Sequence, residues 1–166
     1  ALGLARAGES SQSKSIMAAL KKSEPSNTFL KVYWLPVIEA SMAIAQHAPD
    51  RAVIALEPAL PYELGTPPPE AIGTLYPAYL RGLAYLDEKN GAAAASEFQK
   101  FLDHPGIVQN FLLGSLAHLQ LGRAYAISGE LTKAETAYKD FLSLWKDADP
   151  DIPILKAAKA EYAKLK

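Results

Sequence analysis

The sequence predicts an all-α fold built as a stack of helix hairpins, and three observations predict it. Alanine and leucine, which lose little side-chain entropy in a helix, number 29 and 23, whereas valine and isoleucine together supply 13. Apolar residues recur three and four apart in segments such as Leu75 to Leu86 and Leu116 to Ile127, and no segment sustains the period-two alternation of a half-buried strand. The chain also repeats itself. With an offset of 40, Gly82 falls on Gly122, Tyr85 on Tyr125, Ala94 on Ala134 and Phe98 on Tyr138, while Gly91 nearly matches Gly129. Ala40, Ala43, Ala52 and Leu56 hold the same places 42 residues earlier, and 39 before those stand Ala1, Leu4, Ser13 and Met17.

These registers divide one domain, 1–166, into four quasi-repeats at about 1–25, 28–60, 71–103 and 112–147, closed by a capping helix at 151–166. The first unit turns at Ala7-Gly8 and stops at Glu24-Pro25. The second breaks at Ala48-Pro49-Asp50. Its Pro36 allows a helix from about Thr28 that kinks or one that begins near Leu35, and the kinked long helix is preferred. The Pro58 to Glu70 stretch then separates units, with Pro67-Pro68-Pro69 read as a stiff connector in preference to a polyproline ligand. In the third unit Pro77 belongs in or near a helix's first turn, where its missing N–H costs little. That unit turns at Asn90-Gly91, and His104-Pro105-Gly106 ends it. The fourth turns at Ser128-Gly129. Asp149-Pro150-Asp151 leads into the last helix, with Asp151 as N-cap, Pro153 in the first turn, and Ile154, Leu155, Ala158, Tyr162 and Leu165 along one side. A terminal helix with a polar outer face is what a stack needs to end in water.

The spacing has a physical logic. A small residue inside a unit's first helix (Ala40, Gly82, Gly122) lets another helix approach, and an aromatic one turn later (Tyr85, Tyr125) fills the adjoining gap. At the hairpin turn Gly91 or Gly129 takes φ > 0 without penalty. In the second helix Ala94 or Ala134 faces the first helix, and the bulky Phe98 or Tyr138 four residues on is expected to pack under the next unit.

Composition excludes several classes of function. Seventeen basic against 18 acidic side chains leave a net charge of −1, which gives no electrostatic footprint for nucleic acid. No cysteine is present for a disulfide, a thiolate metal site or a nucleophile. No apolar run approaches the ~18 residues of a membrane span. The start, Ala1-Leu2-Gly3-Leu4, lacks an initiator methionine and a signal pattern and reads as a piece cut from a longer protein, which leaves the compartment open. Phosphoryl transfer would need a glycine-rich loop, a strand lysine and paired aspartates, and none occurs. His47, His104 and His118 fall in different units, as a hairpin-turn, a helix-end and a part-exposed helix residue, without metal-ligand spacing. Asp147, Asp149 and Asp151 lack the glycine and distal glutamate of a calcium loop. The expectation is no enzyme, no cofactor and no metal.

Gly82, Tyr85, Ala94 and Phe98, with Gly122, Tyr125, Gly129, Ala134 and Tyr138, resemble the small, aromatic, small, aromatic pattern of the tetratricopeptide repeat family, with five to eight residues added between units. The runs Leu75 to Gly82, Leu102 to Val108 and Trp145 to Pro153 look like the C-terminal repeat regions of acidobacterial serine/threonine protein kinases and related winged-helix regulators. The resemblance implies a right-handed superhelix whose first helices line a concave groove that binds a peptide or protein, as one module of a larger bacterial signalling protein. Carried over position by position, the groove comprises Trp34, Val37, Ser41 and Ile44, then Tyr76, Tyr79, Leu83 and Asp87, then Leu116, Leu119, Arg123 and Ile127. Trp34, Tyr76, Tyr79, Asp87, Leu119 and Arg123 are the expected partner-binding residues. For Leu83, Leu119 and Ile127 an ordinary core position is the competing assignment. Ser41 and Leu83 stand where a carboxylate clamp would need polar groups, so no such clamp is expected. The alternative function is self-association, in which the module dimerises an attached kinase or DNA-binding effector.

Overall fold

The computed structural model describes residues 1–65 and 75–165. The Pro67-Pro68-Pro69 connector and the start of the third quasi-repeat at Ala71 lie outside them. Among the described residues every regular element is helical: α1 (Leu2–Arg6), α2 (Ser10–Ser23), α3 (Leu35–Ala45), α4 (Pro49–Ala55), α5 (Tyr76–Asp87), α6 (Gly91–Asp103), α7 (Pro105–Val108), α8 (Leu112–Ile127), α9 (Leu131–Leu144) and α10 (Pro153–Ala163), with a π-helical turn before α3 and a 3-10 helix, Glu57–Tyr62, after α4.

Four hairpins, α1/α2, α3/α4, α5/α6 and α8/α9, share one turn. In each, a single residue takes positive φ: Gly8 (84°), His47 (52°), Lys89 (60°) and Gly129 (75°). The next residue's N–H (Glu9, Ala48, Asn90, Glu130) donates to a carbonyl five residues back (Leu4, Ala43, Tyr85, Tyr125), at 2.9 Å in all four. The positive-φ residue's own N–H donates to the carbonyl of Ala5, Ile44, Leu86 or Ala126 at 3.0–3.2 Å. This is the Schellman pattern, which satisfies the last carbonyls of the first helix. The turns recur at intervals of 39, 42 and 40, the register the side chains gave. One expectation is corrected by them. Lys89, not Gly91, is the counterpart of Gly129; Gly91 opens α6, and a Cβ there would strike the Ala124 carbonyl oxygen and Ser128 of the next hairpin.

The inner positions of the repeat are closed. Ala40, Ala52 and Leu56 are fully buried together, as are Ala94 and Phe98, and Ala134 and Tyr138 are each buried. Phe98 lies against Gly82 and Tyr138 against Gly122, each across its own hairpin. In the first unit the buried Ser13 donates its hydroxyl to the Ala1 carbonyl at 3.2 Å. Each hairpin then packs on the next. α3 meets α1 and α5, and α5 meets α8, while the second helices α4 and α6 cover the following first helices α5 and α8. α2 only grazes α3, and α10 closes the far end against α9.

Pro36 is accommodated within a continuous helix from Thr28 to Ala45, whose N-cap is Asn27 accepting from Leu30 N–H at 2.9 Å. Residues Leu30–Trp34 form a π-helical turn, and Leu35 N–H reaches back to Leu30. Widening the helix by one residue just before the proline makes room for a ring that cannot join the regular ladder. Pro77 sits in the first turn of α5. The residues added between the third and fourth units fold as α7, and Gly114 lets it lie close, since a Cβ there would be 2.6 Å from Val108 Cγ1. At the C-terminus the expected cap is displaced by one residue. Ile152 is the N-cap of α10, while Asp151 donates its N–H to Asp149 Oδ1 at 2.8 Å and pairs with Lys156 at 2.7 Å.

A buried ionic cluster joins the segment after α4 to the third hairpin. Arg81 Nη2 meets Glu63 at 2.6 Å and Glu97 at 2.8 Å, and Lys100 Nζ meets the same two carboxylates at 2.8 Å. The Arg81 and Glu63 side chains are each only 5% exposed, so opposite charges offset part of their desolvation, while Arg81 Nε and Nη1 are buried without a hydrogen-bond partner.

Candidate partner-binding groove

The C-terminal ends of the first helices converge. Ile44 of α3, Leu83 and Leu86 of α5, and Ala126 and Ile127 of α8 give an apolar floor to a groove of about 570 Å³. They arrive together because each lies in the last two turns before the same Schellman turn, with Ile44, Leu86 and Ala126 at the same register in successive hairpins. Polar groups come from the turns (His47 and Lys89), the end of α5 (Asp87), α8 (Gln120 and Arg123), α9 (Tyr138) and α10 (Glu161). His47 Nδ1 lies 3.6 Å from Asp87 Oδ2.

Of the six expected partner-binding residues, the groove unites Asp87 and Arg123. Two others are not at a surface. Tyr79 is 3% exposed, stacked edge-on against Phe98 and Phe101. Leu119 is fully buried with Tyr138, Phe141 and α10's Leu155 and Ala158. Both point from a first helix toward second helices, so packing absorbs what a partner was expected to use. Trp34 and Tyr76 are half-buried near the other ends of their helices. Trp34 packs edge-on to Tyr33 with centroids 5.2 Å apart, and the Tyr76 hydroxyl accepts from Arg6 Nη1 at 3.1 Å.

Arg123 is held within a polar chain. Its Nε and Nη2 donate to the two carboxylate oxygens of Glu161 at 2.8 Å each, and Nη1 donates to Gln120 Oε1 at 3.2 Å. Gln120 Nε2 donates to the Tyr79 hydroxyl, and the Tyr138 hydroxyl donates to Glu161 at 2.9 Å. Burial alone would raise the Glu161 carboxyl, but the Arg123 guanidinium and the Tyr138 hydroxyl hold it below the ordinary carboxylate range. Burial, reinforced by Glu161, pushes the Tyr138 phenol up. Tyr79→Ala with Arg123→Ala would therefore disturb folding as well as the groove, since one side chain is core and the other ties α10 to α8.

Gln120, Tyr138 and Glu161 were not singled out as groove residues. Glu161 carried a usable signal, because it borders the α10 stripe of Leu155, Ala158 and Tyr162, where a carboxylate requires a cationic partner. Among the described residues no group of three or more His, Cys, Asp or Glu side chains is placed to hold a metal ion, and no helix is long and apolar enough to cross a membrane. Comparison with known proteins finds no matching family model, curated relative or solved structure.

Proposed function

We propose that this chain is a non-catalytic, tetratricopeptide-like interaction module of a larger bacterial signalling or regulatory protein, which holds a peptide or protein segment in the groove at the C-terminal ends of α3, α5 and α8. The observation that carries the reading is the convergence of Ile44, Leu83, Asp87, Arg123 and Ile127, equivalent helix ends of three consecutive hairpins, on one groove. Its floor suits apolar side chains, and Asp87 and Lys89 at the rim offer both charge signs to a bound backbone or side chain.

The test replaces Asp87 by Arg and Ile127 by Asp, both exposed and outside the Arg123–Glu161 pair. Affinity capture from a lysate of the encoding organism compares this double variant with the parent chain after scattering has fixed the oligomeric state of both. A protein retained by the parent and lost by the variant is the expected result. Capture of the same set, or of nothing, overturns the groove reading, and a parental dimer broken by the two substitutions transfers it to self-association.

A further inference from the structure

A second groove lies between α2 and α4, over α3, separate from the one described above. It arises because α2 only grazes α3, whereas its counterpart two hairpins later, α6, seats firmly on α8. The opening is about 540 Å³, with Met17 and Ala18 of α2, Met42 and Ala43 of α3, and Ala55 of α4 as its apolar lining. Ile54 stands at its edge, a large aliphatic side chain with 63% of its surface in water. An adjoining depression continues the floor past Leu35 and Pro36.

The rim is basic. Lys14, Lys21 and Arg51 line the opening and Lys31 lines its continuation, against Glu39 as the one carboxylate on either lining. Glu39 is already 3.6 Å from Lys21, which leaves Lys14, Lys31 and Arg51 without an ion pair among the described residues. Four cations around one anion is a local excess in a chain whose net charge is −1. The walls are two helices over a helical floor, a trough in which a third helix can lay its ridge.

We propose that this groove binds an amphipathic helix of a partner protein, whose apolar face covers Ala18, Ile54 and Ala55 above the buried Met17 and Met42 and whose flanking carboxylates meet Lys14, Lys31 and Arg51. The steering charge comes from the rim and the buried area from the floor. The inference does not depend on the first groove.

The chain has two methionines, and both line this groove. Selective ¹³C-methyl labelling of methionine therefore yields two resonances that report here. The probes are a helix-forming synthetic peptide with leucines three and four apart and glutamates on its flanks, and a twin with lysines in place of the glutamates. The expected result is a saturable shift of both methyl resonances with the acidic peptide, weakened by about tenfold or more in Lys14→Glu/Arg51→Glu and absent with the basic twin. The two substituted side chains are exposed, and an unchanged thermal midpoint confirms that the variant folds. Unmoved methyl resonances, or equal binding of the two peptides, overturn the proposal. Methyl shifts that grow with protein concentration alone also overturn it, in favour of a second copy of this chain.

Discussion

A methyl group added at Gly82 would lie 2.5 Å from Cζ of Phe98, a ring that is itself fully buried and has nowhere to retreat. Gly82→Ala should therefore lower unfolding free energy by about 1–2 kcal/mol, although alanine favours a helix by about 1 kcal/mol over glycine. Gly3, inside α1, has nothing within 4 Å of the same added atom, and Gly3→Ala should raise stability by about 0.5 kcal/mol. Chemical denaturation of the two variants checks both signs, and equal effects would refute the close-approach role of Gly82. This pairing was legible in the sequence because glycine and aromatic recur together at the same interval in two units. The turn residue was less so. Lys89 holds φ 60° where two of the other hairpins have glycine, and the eye goes to Gly91 two positions on. Lys89→Gly should stabilise by about 0.5–1 kcal/mol, since the side chain costs roughly 1–2 kcal/mol in that conformation and glycine's looser unfolded chain returns part of it.

Elements are joined by polar pairs that no local pattern announces. Glu63 follows α4 and Arg81 lies in α5, so the sequence shows two unremarkable charges, and only the fold brings them to 2.6 Å at 5% exposure. Removing one partner leaves the rest of the cluster uncompensated, and Glu63→Ala should cost about 3–5 kcal/mol, measured by the denaturant midpoint. The Arg123–Glu161 pair does the same for α10 on a smaller scale. Glu161 is held below the ordinary carboxylate range, so its stabilisation is complete above the unfolded carboxyl value of about 4.3 and is lost as pH falls through the folded value. Glu161→Gln should therefore weaken α10 docking near neutral pH and flatten its acid limb. Fluorescence of Trp145, packed in the same cluster as α10's Leu155 and Ala158, reads this in a Trp34→Phe background. An acid limb unchanged by the substitution would show that another group governs docking. The apolar stripe that seats α10 was legible from its spacing. Its ionic partner was not, because 38 residues separate Arg123 from Glu161.

At the scale of the whole molecule the order of hairpins was readable, because every unit carries its own turn and the last two repeat the same glycine-against-aromatic contact. What the repeat could not show is that the interfaces between units differ. A stack of this kind has a stability close to the sum of its units and its nearest-neighbour interfaces, so it opens first where an interface is thin. That place is the first hairpin. It is anchored by α1 against α3, but α2 contributes little, and the basic groove occupies the space a firmer contact would fill. In the middle of the chain α6 seats on both α5 and α8, and α9 on α8. Amide hydrogens of α2 should accordingly exchange at least about tenfold faster than those of α8, after correction for intrinsic rates, with α6 and α9 close to α8. Uniform protection from α2 to α9 would mean that the four hairpins open as one and that the thin interface has no energetic consequence. The same measurement couples to the second groove. A helix laid between α2 and α4 would supply the contact that α2 lacks against α3, so the acidic peptide should slow exchange in α2 by the factor that its binding free energy predicts and leave α8 unchanged.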